Sequence, residues 1–281
     1  MTRALTVLAT GPLTTVQDDG RPGQAALGVG RSGACDRAAA ALANRLVGNP
    51  VSAAVLEATL GGLAVRAETD LLVVTTGARC PGAPHAAPVV LRRGRELRLG
   101  LPATGLRSYL AVRGGIDVPP VLGSRATDLL SGLGPAVVAA GDVLAVGQPT
   151  ADPPGVDVAP VADPPGGEVT VAVLPGPRSD WFGDPGWAAL TGQPWSVTSE
   201  SNRVGVRLAG TPLERLRTGE LPSEGMVRGA LQVPPSGSPV LFLADHPVTG
   251  GYPVIGYVAD PDVDRCGQLR PGQALRFHPA R

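Results

Sequence analysis

The chain has 281 residues and a formal net charge of +0, with Lys+Arg 24 balanced by Asp+Glu 24. Every basic residue is an arginine, from Arg3 to Arg281, and lysine is absent. A biotin carrier, a pyridoxal imine and a Walker P-loop each need a lysine amine, so those three reactions are closed to this chain acting alone. Wholesale GC-rich codon usage accounts for such an absence, but the exclusion holds whatever its cause.

The length allows one large or two ordinary domains, each with room for a buried core, and two are expected. The densest basic stretch, Arg92, Arg93, Arg95 and Arg98, alternates like a solvated strand face, so no nucleic-acid partner is expected. The N-terminal MTRALTVLATGPLTTV is too short in its apolar run for a leader, and no later segment reaches membrane-spanning length. A soluble, cytoplasmic protein without a membrane partner is therefore expected. Cys35, Cys80 and Cys266 are scattered, which argues against a disulfide framework or a CxxC zinc site. His85, His246 and His278 have no metal-ligand spacing, and no bound metal is expected.

In chain order, short apolar alternations (Leu5 to Leu8, Ala64 to Arg66, Leu97 to Leu99) are broken every ten residues or so by the 39 Gly and 30 Pro. Short strands and tight turns follow from that pattern. A helix is predicted over Arg37 to Val47, capped by Asp36 and stopped at Gly48-Asn49-Pro50, and a second candidate spans Pro185 to Leu190. The fold class is mostly β with one or two short helices. Residues 149–167 (PTADPPGVDVAPVADPPGG) are too rich in Pro, Gly and Asp for a core. They divide an N-terminal β domain, 1–148, from a C-terminal β domain, 168–281. AGDVLAVG (140–147) and PGQALRF (271–277) close the two halves alike, a weak hint of duplication.

Polar turns carry the candidate chemistry. Thr14 to Val16 lead into Gln17, Asp18, Asp19, Gly20 and Arg21, a pattern that equally describes a plain hairpin with a structural ion pair. The loop GVGRSGACD (28–36) opens the predicted helix with Ser32, Gly33 and Asp36, and could offer backbone N–H groups to an anion. It lacks the dinucleotide-binding fingerprint. Asn202 and Arg203 occupy a turn in SESNRVGVRL, where an amide and a guanidinium could hold a carboxylate, or simply make the turn. Glu224, Arg228 and Gln232 follow. The densest cluster is LADHPVTGGYP (243–253), in which Asp245 and His246 offer an acid or base, Thr249, Gly250 and Gly251 form a turn that permits close approach to a ligand, and Tyr252 follows.

Taken in order, GPLTTVQDDGRPG, the SGACD loop and its helix, LEATLGG, RSYLAVRGGIDVPPVLGSRATD, SNRVGVRL, GALQVPPSGSPV and TGGYPVIG resemble one family over nearly the whole chain. This is the C subunit of the bacterial ATP-dependent 5-oxoprolinase, also known as a kinase-inhibitor antagonist, as allophanate hydrolase subunit 2 and as biotin-dependent carboxyltransferase-like. The resemblance implies two cyclophilin-like β-barrel regions, a tight complex with the 5-oxoprolinase B subunit, co-operation with the A subunit, and ATP shared with a partner, with no covalent biotin on this chain. The implied reaction is ATP-driven opening of the 5-oxoproline lactam to L-glutamate. Asp245 and Asn202, at matched positions, and His246, beside them, are put forward as catalytic residues. Arg203, Gln232, Thr249, Gly250, Gly251, Tyr252, Gln17, Asp18, Arg21, Ser32 and Asp36 are the substrate-binding candidates. Relatives usually carry Gln where this chain has His246. Two alternatives stand beside this reading: a carboxyltransferase-like subunit of a urea or amide carboxylating system, and a non-catalytic regulator that binds a kinase inhibitor.

Overall fold

A computed structural model describes residues 3–280. The chain divides into two compact units: the chain up to Pro22 together with Ser32–Pro164, and Gly23–Arg31 together with the chain from Pro165. The division falls within the Pro/Gly-rich stretch. Up to Pro164 that stretch is tied to the first unit: Arg79 pairs with Asp163 at 2.8 Å, Ala159 N–H donates to the Ala86 carbonyl, and Ala159 and Val161 pack on the core.

The first unit holds β1 (Ala4–Thr10), β2 (Leu13–Gln17), β3 (Val55–Thr59), β4 (Leu63–Ala67), β5 (Leu71–Gly77), β6 (Val89–Leu91), β7 (Glu96–Arg98), β8 (Arg107–Val112) and β9 (Val143–Ala145), with helix α1 (Arg37–Leu46). The strands form two sheets, ordered β7-β4-β1-β9 and β2-β3-β8-β5-β6. Glycines let the chain pass from one sheet to the other. Gly11 (φ 65°) separates β1 from β2, and Gly61 (φ 68°) and Gly62 (φ 77°) separate β3 from β4. A Cβ on Gly11 would lie 2.0 Å from the Gly61 carbonyl oxygen, so only glycine allows this crossing.

Both faces of the five-stranded sheet are covered, and its side chains sort with the period of two expected of a strand. Leu56, Leu110, Val112 and Val73 point into the core shared with Leu5, Val65 and Leu144 of the other sheet. Their neighbours Val55, Tyr109, Ala111 and Val74 face α1 through Ala40, Ala43 and Leu46. Helix α1 forms because Asp36 caps it, its carboxylate accepting from Ala39 N–H at 2.9 Å, and because its alanines favour a helix.

The second unit holds β10 (Val169–Pro175), β11 (Pro194–Val197), β12 (Gly205–Ala209), β13 (Glu224–Gly225), β14 (Ala230–Gln232), β15 (Val240–Phe242), β16 (Thr249–Gly250), β17 (Val254–Val258) and β18 (Ala274–Pro279). Seven of these close a barrel in the order β10-β17-β14-β15-β12-β11-β18, sealed by parallel pairing of β10 with β18. Val169, Val171, Val173, Trp195, Leu231, Leu241, Ile255 and Phe277 belong to its core. Closure removes the exposed sheet edges. Helices α2 (Gly183–Gly192) and α3 (Asp260–Cys266) contribute Leu190, Val263 and Cys266 to that core. Burial pushes the Cys266 thiol up to about 12, so it remains an inert apolar filler.

The mostly β class is what the structure shows, with three helices among the described residues where the sequence predicts one or two. Of the two barrel regions implied by the resemblance, the second unit is closed, whereas the first is two facing sheets because its glycine crossings switch sheets instead of continuing one. The unexpected α3 is short. Its signals are Pro261 in the first turn, acidic Asp260 and Asp262 at the start and Arg265 at the end.

Candidate functional site

In the first unit the polar turn after β2 converges on one backbone segment. Gln17, 0 % exposed, donates through Nε2 to the Thr127 carbonyl at 2.9 Å and to Thr15 Oγ1 at 3.0 Å. Arg21 is buried, donating to the Ala126 carbonyl at 2.5 Å with Asp128 at 3.8 Å. Ser32 Oγ donates to the same Thr127 carbonyl at 3.3 Å. The Asp18 carboxylate accepts from Gly20 N–H, Ser124 Oγ–H and Arg125 N–H, at 2.6 to 2.8 Å. Four of the sequence candidates are thus brought together, and Asp18 ties the turn to residues 124–125. Gly33 (φ 96°) completes the contact: a Cβ there would meet Gly20 N at 2.9 Å and the Asp18 carbonyl at 3.0 Å.

The sequence suggests that the loop opening α1 offers N–H groups to an external anion. In the fold those groups find internal partners. Ala34 N–H donates to the Asp18 carbonyl at 3.0 Å, Cys35 N–H to Glu57 Oε2 at 2.9 Å, and Asp36 N–H to the Tyr109 hydroxyl at 2.8 Å. Tyr109 O–H in turn donates to Glu57 Oε2 at 2.9 Å, and Arg107 stands 3.5 Å from Glu57. Burial, followed by the Glu57 and Asp36 carboxylates, pushes the Tyr109 hydroxyl well above its ordinary value, so it stays a donor. A buried carboxylate of the protein itself therefore sits where an anion would favour the helix start. Neither Glu57 nor Tyr109 stands out in the sequence. The available signal is a carboxylate within an otherwise apolar strand, in LEATLGG.

In the second unit Arg203 and Asp245 form a bidentate pair, Nε to Oδ2 at 2.9 Å and Nη2 to Oδ1 at 3.0 Å, with side chains 2 % and 0 % exposed. Asp245 N–H also donates to the Arg203 carbonyl at 3.0 Å. The pair therefore ties the turn before β12 to the loop after β15, with the fork geometry that favours arginine over lysine. Asn202 is exposed, and its Oδ1 accepts from Val204 N–H at 2.8 Å and Gly205 N–H at 3.3 Å, closing the turn that presents Arg203. His246 Nδ1 lies 2.8 Å from the Pro247 carbonyl, with its ring 6.2 Å from that of Phe242.

Gln232 donates through Nε2 to the Tyr252 carbonyl at 3.2 Å, and a Cβ on Gly250 would come within 2.5 Å of that same nitrogen, so the amide end lies close against the Gly250 backbone. Thr249 and Gly250 pair with Gly225 and Glu224 in a two-stranded ribbon. Glu224 is hydrogen-bonded to Arg178, which holds its carboxyl below the usual range. Tyr252, 45 % exposed, stacks with Arg215 at 6.0 Å, and Gly251 is exposed at the turn. Gln232, Gly250 and Tyr252 thus form one group, while Arg203 with Asp245 form another. Sequence reasoning misses Arg178 because its partner lies 46 residues away. Among the described residues no cluster of three or more His, Cys, Asp or Glu could hold a metal ion, and no helix is long and apolar enough to cross a membrane.

A mostly β chain built this way matches the family described as carboxyltransferase domain, subdomain A and B, over residues 27–279, and it belongs to that family. Within it, the chain is 39% identical to the 5-oxoprolinase C subunit of Escherichia coli (strain K12), over 97% of this chain and 90% of that protein. It is 34% identical to urea amidolyase of Lachancea kluyveri over 98% of this chain, but spans only 17% of that protein. The crystal structure of Kluyveromyces lactis urea carboxylase superposes with a TM-score of 0.89 at 30% identity, covering 100% of this chain and 28% of that one.

Proposed function

We propose that this chain is the C subunit of an ATP-dependent 5-oxoprolinase, which opens the 5-oxoproline lactam to L-glutamate together with its A and B subunits. The observation that carries the reading is the 39% identity to a protein named as the C subunit of 5-oxoprolinase, across 97% of this chain. In the proposed reaction the lactam carbonyl oxygen takes the terminal phosphoryl group of ATP, held jointly with a partner, and ADP leaves; water then adds to the activated ring carbon, the C–N bond breaks with the nitrogen taking a proton, and a second water hydrolyses the resulting acyl phosphate to L-glutamate and phosphate. With no lysine in the chain, the cation that steadies the phosphates is an arginine or comes from the partner. No biotin is attached to this chain.

The side chains divide between holding and binding. Arg203 and Asp245 neutralise one another, so Asp245 is proposed to act through Arg203, fixing its guanidinium, instead of as a free base. Asn202 sets the turn that carries that arginine. His246, Thr249, Gly250, Gly251 and Tyr252, from the segment after β15, and Gln232, from the end of β14, are proposed to contact substrate. A second reading, a carboxyltransferase-like subunit of a urea or amide carboxylating system, draws on the TM-score of 0.89 to urea carboxylase; it requires biotin carried on another polypeptide.

The test is to co-express this chain with its A and B subunits and measure ATP hydrolysis with and without 5-oxoproline. The proposal expects hydrolysis that depends on 5-oxoproline and on all three subunits. Biotin-dependent carboxylation of urea in its place would select the second reading.

A further inference from the structure

Apart from its barrel core, the second unit carries a smaller apolar cluster of Met226, Ala230, Phe242 and Val254, with Val240 and Tyr257 packed beside it. The β13–β16 ribbon lies against this cluster: a Cβ on Gly250 would stand 3.3 Å from Met226 Cγ. The ribbon has little of its own to hold it. Glu224 pairs with Gly250 and Gly225 with Thr249, and both Gly225 and Thr249 are exposed. Met226 N–H extends the pairing by one bond, to the Val248 carbonyl at 2.8 Å. Two strands of that length do not persist in water unaided, so the ribbon keeps its place through bonds to the barrel.

Gln232 supplies one such bond, from the end of β14 to the Tyr252 carbonyl. Arg178 supplies another. Its segment follows β10 and is fixed along β17: Gly176 N–H donates to the Ile255 carbonyl at 2.8 Å and Arg178 N–H to the Val254 carbonyl at 3.1 Å. A Cβ on Gly176 would lie 2.5 Å from the Val254 oxygen, so the segment is pressed against that strand. From this fixed base Arg178 Nε donates to Glu224 Oε1 at 2.9 Å, and Nη2 donates to the same oxygen. The two side chains are 35 % and 25 % exposed, in contrast to the fully buried Arg203 and Asp245, so water and salt compete for this pair and it can open.

We propose that the Arg178–Glu224 pair latches the β13–β16 ribbon to the barrel, and that both are positioning residues which set Gly250, Gly251 and Tyr252 against the substrate. Neither side chain has a part in bond breaking. The substrate half of this assignment rests on the 5-oxoprolinase reading; the latch does not.

The experiment is hydrogen–deuterium exchange of the full chain, read by mass spectrometry on peptides covering 224–227 and 248–252, with a barrel peptide covering 240–243 as reference. It compares wild type with Arg178→Glu, which sets two carboxylates face to face, and with the double variant Arg178→Glu with Glu224→Arg, which restores the pair with its signs exchanged. The expected result is exchange in both ribbon peptides about five-fold faster or more in Arg178→Glu, and back within about two-fold of wild type in the double variant, with the barrel peptide unchanged. In the complex with the A and B subunits, Arg178→Glu should raise KM for 5-oxoproline about five-fold or more, with a smaller change in kcat and none in KM for ATP, and the double variant should recover it. Ribbon exchange that does not respond, that the exchanged pair does not restore, or that quickens equally in the barrel peptide overturns the latch. If Arg178→Glu does not fold, Glu224→Gln keeps the side chain's shape and removes its charge, and ribbon exchange equal to wild type in that variant overturns the latch as well. Faster ribbon exchange with an unchanged KM for 5-oxoproline overturns the positioning role. A wild-type complex without 5-oxoproline-dependent ATP hydrolysis sinks the 5-oxoprolinase reading, while exchange still decides the latch.

Discussion

Removing Asp245 should damage the second unit far more than removing the whole ion pair. The Asp245→Ala change strips a bidentate partner from Arg203, whose guanidinium is 2 % exposed, and leaves a positive charge in the barrel wall with its main counter-charge gone. Breaking one side of a buried pair costs about 3–5 kcal/mol, whereas apolar residues of similar volume in place of both are often neutral. The double variant Arg203→Met with Asp245→Leu should therefore lose far less than Asp245→Ala alone. Urea unfolding followed by tryptophan fluorescence reads the right unit, since Trp181, Trp187 and Trp195 are the three tryptophans and all lie in the second unit. A loss below about 1 kcal/mol for Asp245→Ala, or a double variant that costs as much as the two single ones summed, would refute the buried-clamp reasoning.

Other outcomes follow from the first unit. Asp36→Ala removes the cap of α1 and should cost about 0.5–2 kcal/mol in chemical denaturation followed by far-UV circular dichroism. Gly33→Ala places a Cβ 2.9 Å from Gly20 N in a left-handed conformation, and should cost more than about 1 kcal/mol in the same assay. His85 is buried beside Arg79 and Asp163, and burial, then Arg79, holds its imidazole below the ordinary value of 6.5. The unfolded chain therefore takes up a proton here before the folded chain does. Stability should fall as the pH drops below about 6.5 and level off only beneath the lowered folded value. The His85→Gln variant should show a flatter thermal-midpoint profile between about pH 7 and 5, and an unchanged slope would count against this assignment.

The elements legible in the sequence are those whose signals are local. Asp36 before an alanine-rich run and Gly48 after it delimit α1, and alternation in Leu5 to Leu8 and Ala64 to Arg66 marks strands. The β3 strand reads as an apolar run because both faces are covered, and that same burial conceals the purpose of Glu57. A carboxylate in a strand has no meaning until Tyr109, directly opposite on β8, and the Cys35 amide are seen beside it. Asn202, Arg203 and Asp245 are legible as polar turn residues, but not the division of labour among them, which depends on a bond spanning 42 residues. The connector at 149–167 reads as a linker by composition. Up to Pro164 it is held down by contacts to Arg79 and Ala86 that composition does not encode.

The central claim is that this chain works as one part of a shared lactam-opening enzyme. Its most direct test is 5-oxoproline-dependent ATP hydrolysis, with glutamate release, measured for the purified chain and for the complex reconstituted with the A and B subunits. The expected result is no activity for the chain alone and coupled phosphate and glutamate release for the complex. A reconstituted complex that assembles but hydrolyses no ATP in response to 5-oxoproline would contradict the claim.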